Sequence, residues 1–367
     1  MAHDALVVGG GPSGCAAAIA IAHSGSSVAL IDRGRGLAHP WAAILTHDAR
    51  AELEKIGFST TIHEIAQVRV GDGERSMVRS LPPGDLGVVR RPEFDDALLD
   101  TARANGVEVL DHHDAHRPVI ERGFVRGADV VNDAAEITLR AEYTVIADGA
   151  NSTFGRALGT HRRRDLPHLI TARGTWSSPL SRVVECEVLI GLRRSSGEDL
   201  PGHATIIPDG DGSVTVTVVV PSTARDAAAV NPTNVLEETA RNIADRWALD
   251  PDQPIGELRS ARLPTGRSGG PVAGPTFCVV GDAAATADPL TALGLGPALV
   301  SGSLAGRCVA EAIATGASAP LQAYPDGLDE IIRRRNRWGS MALNLAGREV
   351  GNRALRATLR LAASARR

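Results

Sequence analysis

The chain has 367 residues, 43% of them hydrophobic and 22% charged, which excludes a disordered or fibrous protein and gives length enough for two lobes sharing an interface. Its formal charge of −4, from 39 basic and 43 acidic residues without long runs of one sign outside the tail, excludes the electrostatic footprint of nucleic-acid binding. Cys15, Cys186, Cys278 and Cys308 lie far apart without metal-ligand spacing, so no metal site is expected and a reducing cytoplasm fits.

No charged region precedes the first apolar run, and glycines break that run, so neither a signal peptide nor a membrane span is expected. Ala5 to Val8 lead into Gly9-Gly10-Gly11-Pro12-Ser13-Gly14, and Cys15 to Ala22 are small and helix-compatible. The pattern predicts strand, tight turn, helix. Gly9, Gly11 and Gly14 have G-x-G-x-x-G spacing: a turn without side chains lets the backbone approach a pyrophosphate. The helix N-terminus then offers the anion N–H groups and a positive dipole end. Gly25 ends the helix, Val28 to Ile31 form a second strand, and Asp32 follows where a carboxylate can accept both ribose hydroxyls of an adenosine. A dinucleotide is expected; these residues leave open whether it is FAD or a nicotinamide.

Residues 38 to 57 should return toward the cofactor. Trp41-Ala42-Ala43-Ile44 precedes Thr46-His47-Asp48 and a helix through Ile56, which makes Trp41 and His47 candidates for a substrate pocket. Arg90-Arg91-Pro92-Glu93-Phe94-Asp95 opens a helix continued by Leu98 and Ala102, and the planar fork of Arg91 suits phosphate or ribose oxygens. Tyr143 to Ala147 form an apolar strand running into Asp148-Gly149-Ala150-Asn151-Ser152.

Between 161 and 271 the pattern changes. β-Branched or alternating runs at Val183 to Ile190, Ala204 to Ile207 and Val214 to Val220, separated by Pro208-Asp209-Gly210-Asp211-Gly212, predict an antiparallel sheet. Then come Phe277 to Val280, Gly281-Asp282-Ala283-Ala284, Asp288-Pro289-Leu290-Thr291, and Gly294-Leu295-Gly296 opening a helix through Ile313. From Leu321 the chain reads as two arginine-rich helices, with Arg333, Arg334, Arg335 and Arg337 on a solvated face.

These segments, in this order, resemble the FAD-dependent monooxygenase superfamily of para-hydroxybenzoate hydroxylases, geranylgeranyl reductases and flavin halogenases, over residues 4 to 160 and 272 to 315 and more weakly between. The resemblance implies an α/β fold with a Rossmann-like FAD-binding domain of the glutathione-reductase-like hydroxylase type. That domain would be discontinuous, 1–160 and 272–315, with a β-sheet substrate domain at 161–271 and a C-terminal helical segment at 316–367. It also implies site roles: Gly9, Gly11, Pro12, Ser13, Gly14, Asp32 and Arg33 for the ADP half, and Arg91 for the flavin nucleotide. Asp148 and Gly149 would serve the ribityl or pyrophosphate region, and Gly281 and Asp282 the ribityl chain. The loop through Pro289 would lie against the ring, and Gly294, Leu295 and Gly296 at the pyrimidine edge, where helix N–H groups stabilise the charge of a reduced flavin.

The activity so implied is a monooxygenase using reduced flavin and dioxygen on an apolar or aromatic small molecule, with a dry pocket in place of a side-chain triad and NAD(P)H or a separate reductase as electron donor. Two alternatives share the fold: an ene reductase of the geranylgeranyl type, and a flavoprotein that hydroxylates a residue of a partner protein in quinone-cofactor maturation. A halogenase would need a lysine near the reactive face and a Trp-x-Trp-x-Ile-Pro stretch. Lys55 is the sole lysine, and that stretch is absent.

Overall fold

The computed structural model describes residues 2–34, 41–73, 75–160, 166–194, 196–266 and 270–346, with 333–346 through their backbone alone. The arginine cluster at 333–337 and the second tail helix expected after Leu321 therefore lie outside the described side chains and residues, as does the start of the segment expected to return at 38.

Five parallel strands form the centre of the first lobe, in the order Phe277–Val279, Glu136–Ile146, Ala2–Val8, Val28–Ile31, Glu108–Leu110. Strands buried on both faces read as unbroken apolar runs, which is why Ala5–Val8 and Val28–Ile31 were legible. A short antiparallel strand, Ala273–Gly274, edges this sheet, and the antiparallel pair Asp114–Glu121 and Phe124–Val131 extends the N-terminal half of Glu136–Ile146.

Helix Pro12–Ala22 packs on helix Leu295–Thr315, and nearly every residue of the first is buried. The packing depends on two glycines. A Cβ on Gly302 would stand 2.1 Å from the carbonyl oxygen of Ser13, and one on Gly306 would stand 2.5 Å from that of Ala17. Helix Ala319–Ala346 follows and seals the outer side through Leu321, Tyr324 and Leu328, with the Tyr324 hydroxyl donating to the Val279 carbonyl at 2.7 Å.

The second lobe is a seven-stranded sheet ordered Arg259–Pro264, His168–Ser177, Ser213–Pro221, Asp199–Pro208, Glu185–Arg193, Gln67–Gly71, Ser76–Ser80. Its last two strands come from residues 67–80, so the sheet is not confined to the interval 161–271 drawn from the sequence. The hairpin is short and half polar, and nothing in its local pattern says which sheet it joins. Helix Pro232–Trp247 covers one face, packing Val235, Leu236, Ala240 and Ile243 against Trp176, Ala204, Ile206, Val216 and Val218. Buried Glu187 ties this helix down, accepting from the Trp247 indole at 2.9 Å and pairing with Arg246 at 2.7 Å. Alternation along the strands turns Arg173, Thr205, Ile207, Thr217 and Val219 to the opposite face, toward the first lobe.

A small sheet of Ala42–Thr46, Leu86–Arg90 and His63–Glu64 stands between the lobes, and the Ala42 N–H donates to Thr215 Oγ1 at 2.8 Å. Among the described residues no helix is long and apolar enough to cross a membrane.

Because the Gly302 contact is backbone against helix, Gly302→Val should lower stability by roughly 1–3 kcal/mol through overpacking. A urea titration reads this as a fall in midpoint, and an unchanged midpoint would show that the two helices can separate freely.

Candidate cofactor and substrate site

A cavity of about 310 Å³ opens between the lobes. Its floor gathers Gly11, Pro12 and Ser13 after strand Ala2–Val8, Ala147 and Gly149 after Glu136–Ile146, and Asp282 after Phe277–Val279. These are the C-terminal ends of adjacent parallel strands, where open α/β sheets hold their ligands.

The first turn is built from missing side chains. Gly9 has φ +109°, and its Cβ would lie 2.3 Å from the Ala147 carbonyl oxygen; one on Gly14 would lie 1.9 Å from that of Gly9. Gly11 differs: nothing stands within 4 Å of where its Cβ would be, so the backbone is open to the cavity there. It caps helix Pro12–Ala22 without a side-chain hydrogen bond, which leaves the first N–H groups available to an anion.

Asp32 and Arg33 stand elsewhere. The Asp32 carboxylate accepts from the Gly10 N–H at 2.8 Å and the Gly34 N–H at 2.9 Å, bracing the glycine turn from behind. The side chain of Arg33 is exposed, 3.8 Å from Asp114. Neither lines the cavity. Arg91 does; its guanidinium is held by Asp95 one helical turn on, at 3.1 and 2.9 Å, and its N–H donates to the Trp41 carbonyl at 3.0 Å.

The two motif aspartates differ in use. Asp148 caps the short helix Thr153–Arg156, its Oδ2 accepting from the Phe154 N–H at 2.9 Å and the Gly155 N–H at 3.2 Å, while Gly149 beside it lines the cavity. Asp282 faces the cavity, and its Oδ1 is shielded from solvent without a hydrogen-bond partner among the described residues. Burial pushes both carboxyls above the usual range; the Phe154 and Gly155 amides pull Asp148 back, and Arg91 and Arg173 pull Asp282 back.

Gly281 has φ +61° and brings its backbone against Ser13, with its N–H on Ser301 Oγ at 3.0 Å. The next loop is knotted by Asp288, whose Oδ1 accepts from the Leu290 and Thr291 N–H groups at 2.9 and 2.7 Å. Pro289 is buried within it, away from the cavity, whereas Thr291, Ala292 and Leu293 line the wall. Gly294 caps helix Leu295–Thr315 without a side-chain bond, so that helix too presents open N–H groups; Gly294 and Leu295 line the cavity and Gly296 is buried just behind.

These residues fit FAD. Two helix starts without side-chain caps, one open glycine backbone and one buried acceptor without a partner lie along one cavity. An unpaired buried acceptor costs about 1–3 kcal/mol, which a polyol hydroxyl donating to it would offset.

Of the two pocket candidates, His47 is corrected: it is exposed at the first turn of helix His47–Lys55, with its N–H on the Asp85 carbonyl, and contributes nothing to the cavity. A histidine at a helix start has no apolar neighbours in sequence to draw it inward. Trp41 stays near, stacked on Arg173 with the guanidinium carbon 5.0 Å from its ring centroid, while its neighbours Ala42, Ala43 and Ile44 form the lining. Sequence reasoning missed Arg173 altogether. A single arginine in a strand carries no motif, and only the sheet's alternation faces it inward. His203, on the same strand face as Thr205 and Ile207, is pushed down to about 4 by burial, against the pull of Asp288, so its ring is neutral at pH 7.

The profile of a family described as FAD binding domain matches residues 2–334. A Mycolicibacterium smegmatis protein named menaquinone reductase is 30% identical over 342 residues, covering 90% of this chain and 81% of its own. A Methanosarcina acetivorans protein named digeranylgeranylglycerophospholipid reductase is 28% identical, covering 91% and 80%. Among solved structures, a geranylgeranyl bacteriochlorophyll reductase-like protein from Thermoplasma acidophilum superposes with a TM-score of 0.79 at 22% identity, covering 98% of this chain and 90% of its own.

Replacing Asp282 by Ala removes the buried acceptor, and FAD affinity should fall on the order of tenfold to a hundredfold, read by flavin retention through desalting. Full retention would remove Asp282 from the site. A second outcome follows from the raised carboxyls, which bind protons more tightly in the folded than in the unfolded chain. The stability of FAD-stripped wild type relative to an Asp282→Asn variant should therefore fall as pH rises from the usual carboxylate range through the raised value, the depressed His203 acting in the opposite sense but alike in both proteins. Thermal melts from pH 4 to 7 check this sign.

Proposed function

Because the chain belongs to the FAD binding domain family, we propose that it is an FAD-dependent reductase that saturates a carbon–carbon double bond of a polyprenyl lipid. The observation that carries this reading is the asymmetry of the cavity. Its floor is polar and fits a flavin, while the facing wall sets Ile207, Val219, Leu263 and Ala292 around Arg173, Thr205 and Thr217 and holds no carboxylate. In support, the two reductases named above differ in head group, one a quinone and one a phospholipid, and share an isoprenoid chain. The oxygenase expectation drew on the breadth of the superfamily. Curated relatives that match four-fifths of their own length carry reductase names, and these favour the reductase.

FAD, when bound, supplies the hydride equivalent. The protein's part is to bind, orient and exclude water. The open N–H groups at Leu295 and Gly296 favour negative charge at the helix start, easing reduction of a group held there. Ile207, Val219 and Leu263 hold an apolar chain over the floor and displace water from it. No side-chain triad is required for such a step. NAD(P)H or a separate reductase is the proposed source of electrons.

Enzyme reduced with dithionite under nitrogen should hydrogenate the prenyl chain of a short-chain menaquinone, or of a geranylgeranyl lipid: once ferricyanide has reoxidised any quinol, mass spectrometry should read two added hydrogen atoms on the chain fragment, which dithionite without enzyme does not give. No product without oxygen, together with an oxygen-bearing product in air, would replace the reductase by an oxygenase.

A further inference from the structure

Resting on the reductase reading, we propose that Arg173 is the head-group anchor of the site. Its open guanidinium edge takes a carbonyl oxygen of a quinone ring, so the substrate is a prenylated quinone and not a prenylated phospholipid.

Arg173 sits in the middle of strand His168–Ser177, opposite Thr217 on one side and Arg259 on the other. Its neighbour Ala172 packs under the covering helix, so alternation points Arg173 into the cavity. Two contacts then fix the side chain. Nε donates to Thr217 Oγ1 at 2.9 Å, and the guanidinium carbon lies over the Trp41 ring, 5.0 Å from its centroid. Thr217 sets which edge of the fork is used, and Trp41 covers one face. The two Nη groups have no hydrogen-bond partner among the described residues, and no carboxylate there forms an ion pair with Arg173. Burial lowers this guanidinium to about 10, with Arg91 adding to the effect and Asp282 opposing it, so it remains charged at neutral pH.

A part-buried cation lining the cavity, with a donor edge that no described residue uses, is open to a ligand acceptor, and a ligand that completes it gains affinity and orientation together. The surroundings select the acceptor. Thr205, Ile207, Val219 and Leu263 are neutral, and Asp282 across the floor is a carboxylate. Of the other nearby cations, Arg91 is already held bidentate by Asp95, and Arg259, opposite on the next strand, is paired with Glu257 at 2.8 Å. A phosphate bearing more than one negative charge would meet a single available cation and a facing carboxylate. A quinone carbonyl is neutral and accepts in the plane of its ring, so a fork held by Thr217 and covered by Trp41 can receive it without a facing negative charge. In a prenylated quinone the chain leaves the carbon next to a carbonyl, so an oxygen held at Arg173 keeps the chain's first double bonds in the same cavity.

The test uses FAD-loaded wild type, Arg173→Met and Arg173→Lys, titrated separately with a short-chain menaquinone and a digeranylgeranyl glycerophospholipid in one detergent, with perturbation of the flavin spectrum as the binding signal. Arg173→Met should keep its FAD content and unliganded spectrum, weaken menaquinone about tenfold or more (~1.4 kcal/mol) and leave the phospholipid within about twofold. Arg173→Lys keeps the charge without the fork and should fall between. Equal weakening of both lipids, no weakening of menaquinone, or no menaquinone binding by wild type overturns the proposal. Loss of FAD or an altered flavin spectrum in both variants overturns it too, assigning Arg173 to the cofactor. If menaquinone binds in an Arg173-dependent way and anaerobic turnover hydrogenates neither lipid, the reductase reading falls and the anchor stands.

Discussion

Helix Pro12–Ala22 lies between the parallel sheet and helix Leu295–Thr315, and the approach of those two helices governs the geometry of the site. Backbone meets helix at Gly302 and Gly306 with no room for a methyl group. That contact places Ser13 against Gly281, which turns with positive φ, and so sets Asp282 beside the glycine turn at the ends of neighbouring strands. A dispersion contact of this kind is stiff, because close-packed interiors transmit displacement instead of absorbing it. The cofactor floor is therefore a consequence of packing made far from the polar atoms that use it.

Polar satisfaction then separates scaffold from site. Asp32 and Asp288 lie in or near motifs, and each is occupied with backbone N–H groups that hold a turn; Asp148 gives Oδ2 to the short helix Thr153–Arg156, while its Oδ1 has no partner among the described residues and does not line the cavity. Asp282 and Arg173 both face the cavity, and each has hydrogen-bonding capacity that the described chain leaves unused, Asp282 through a shielded Oδ1 and Arg173 through its Nη groups. Folding tolerates such groups where ligand binding supplies the missing partner. The two sit on different lobes, so the cavity meets one open polar group from each side.

Division of labour between the lobes follows from strand chemistry. In the parallel sheet both faces are covered, and function is confined to the strand ends and the loops beyond them. In the mostly antiparallel second sheet one face is packed under helix Pro232–Trp247 and the other lines the cavity, so Arg173, Thr205, Ile207, Thr217, Val219 and Leu263 of four strands become wall residues. A reader of such a wall can change its chemistry one side chain at a time without disturbing the floor. Menaquinone-named and phospholipid-named reductases sharing this family are in keeping with that freedom.

The amino-acid order alone determined the strand–glycine turn–helix at Ala2–Ala22, the Asp282 turn and the helix after Gly294, because each is a local pattern: an apolar run, glycines where backbone must turn or approach, a helix start. It could equally show strands at 183–190, 204–207 and 214–220, but not helix Pro232–Trp247, which follows them in the same interval. What only the tertiary structure decided was partnership. The hairpin 67–80 joins a sheet formed a hundred residues later, Asp32 turns back on Gly10, His47 faces solvent, and Arg173 meets Trp41 and Thr217 across the cavity. Contacts between segments distant along the chain depend on how whole layers pack, and a period-two or period-3.6 signal carries no record of which layer lies opposite.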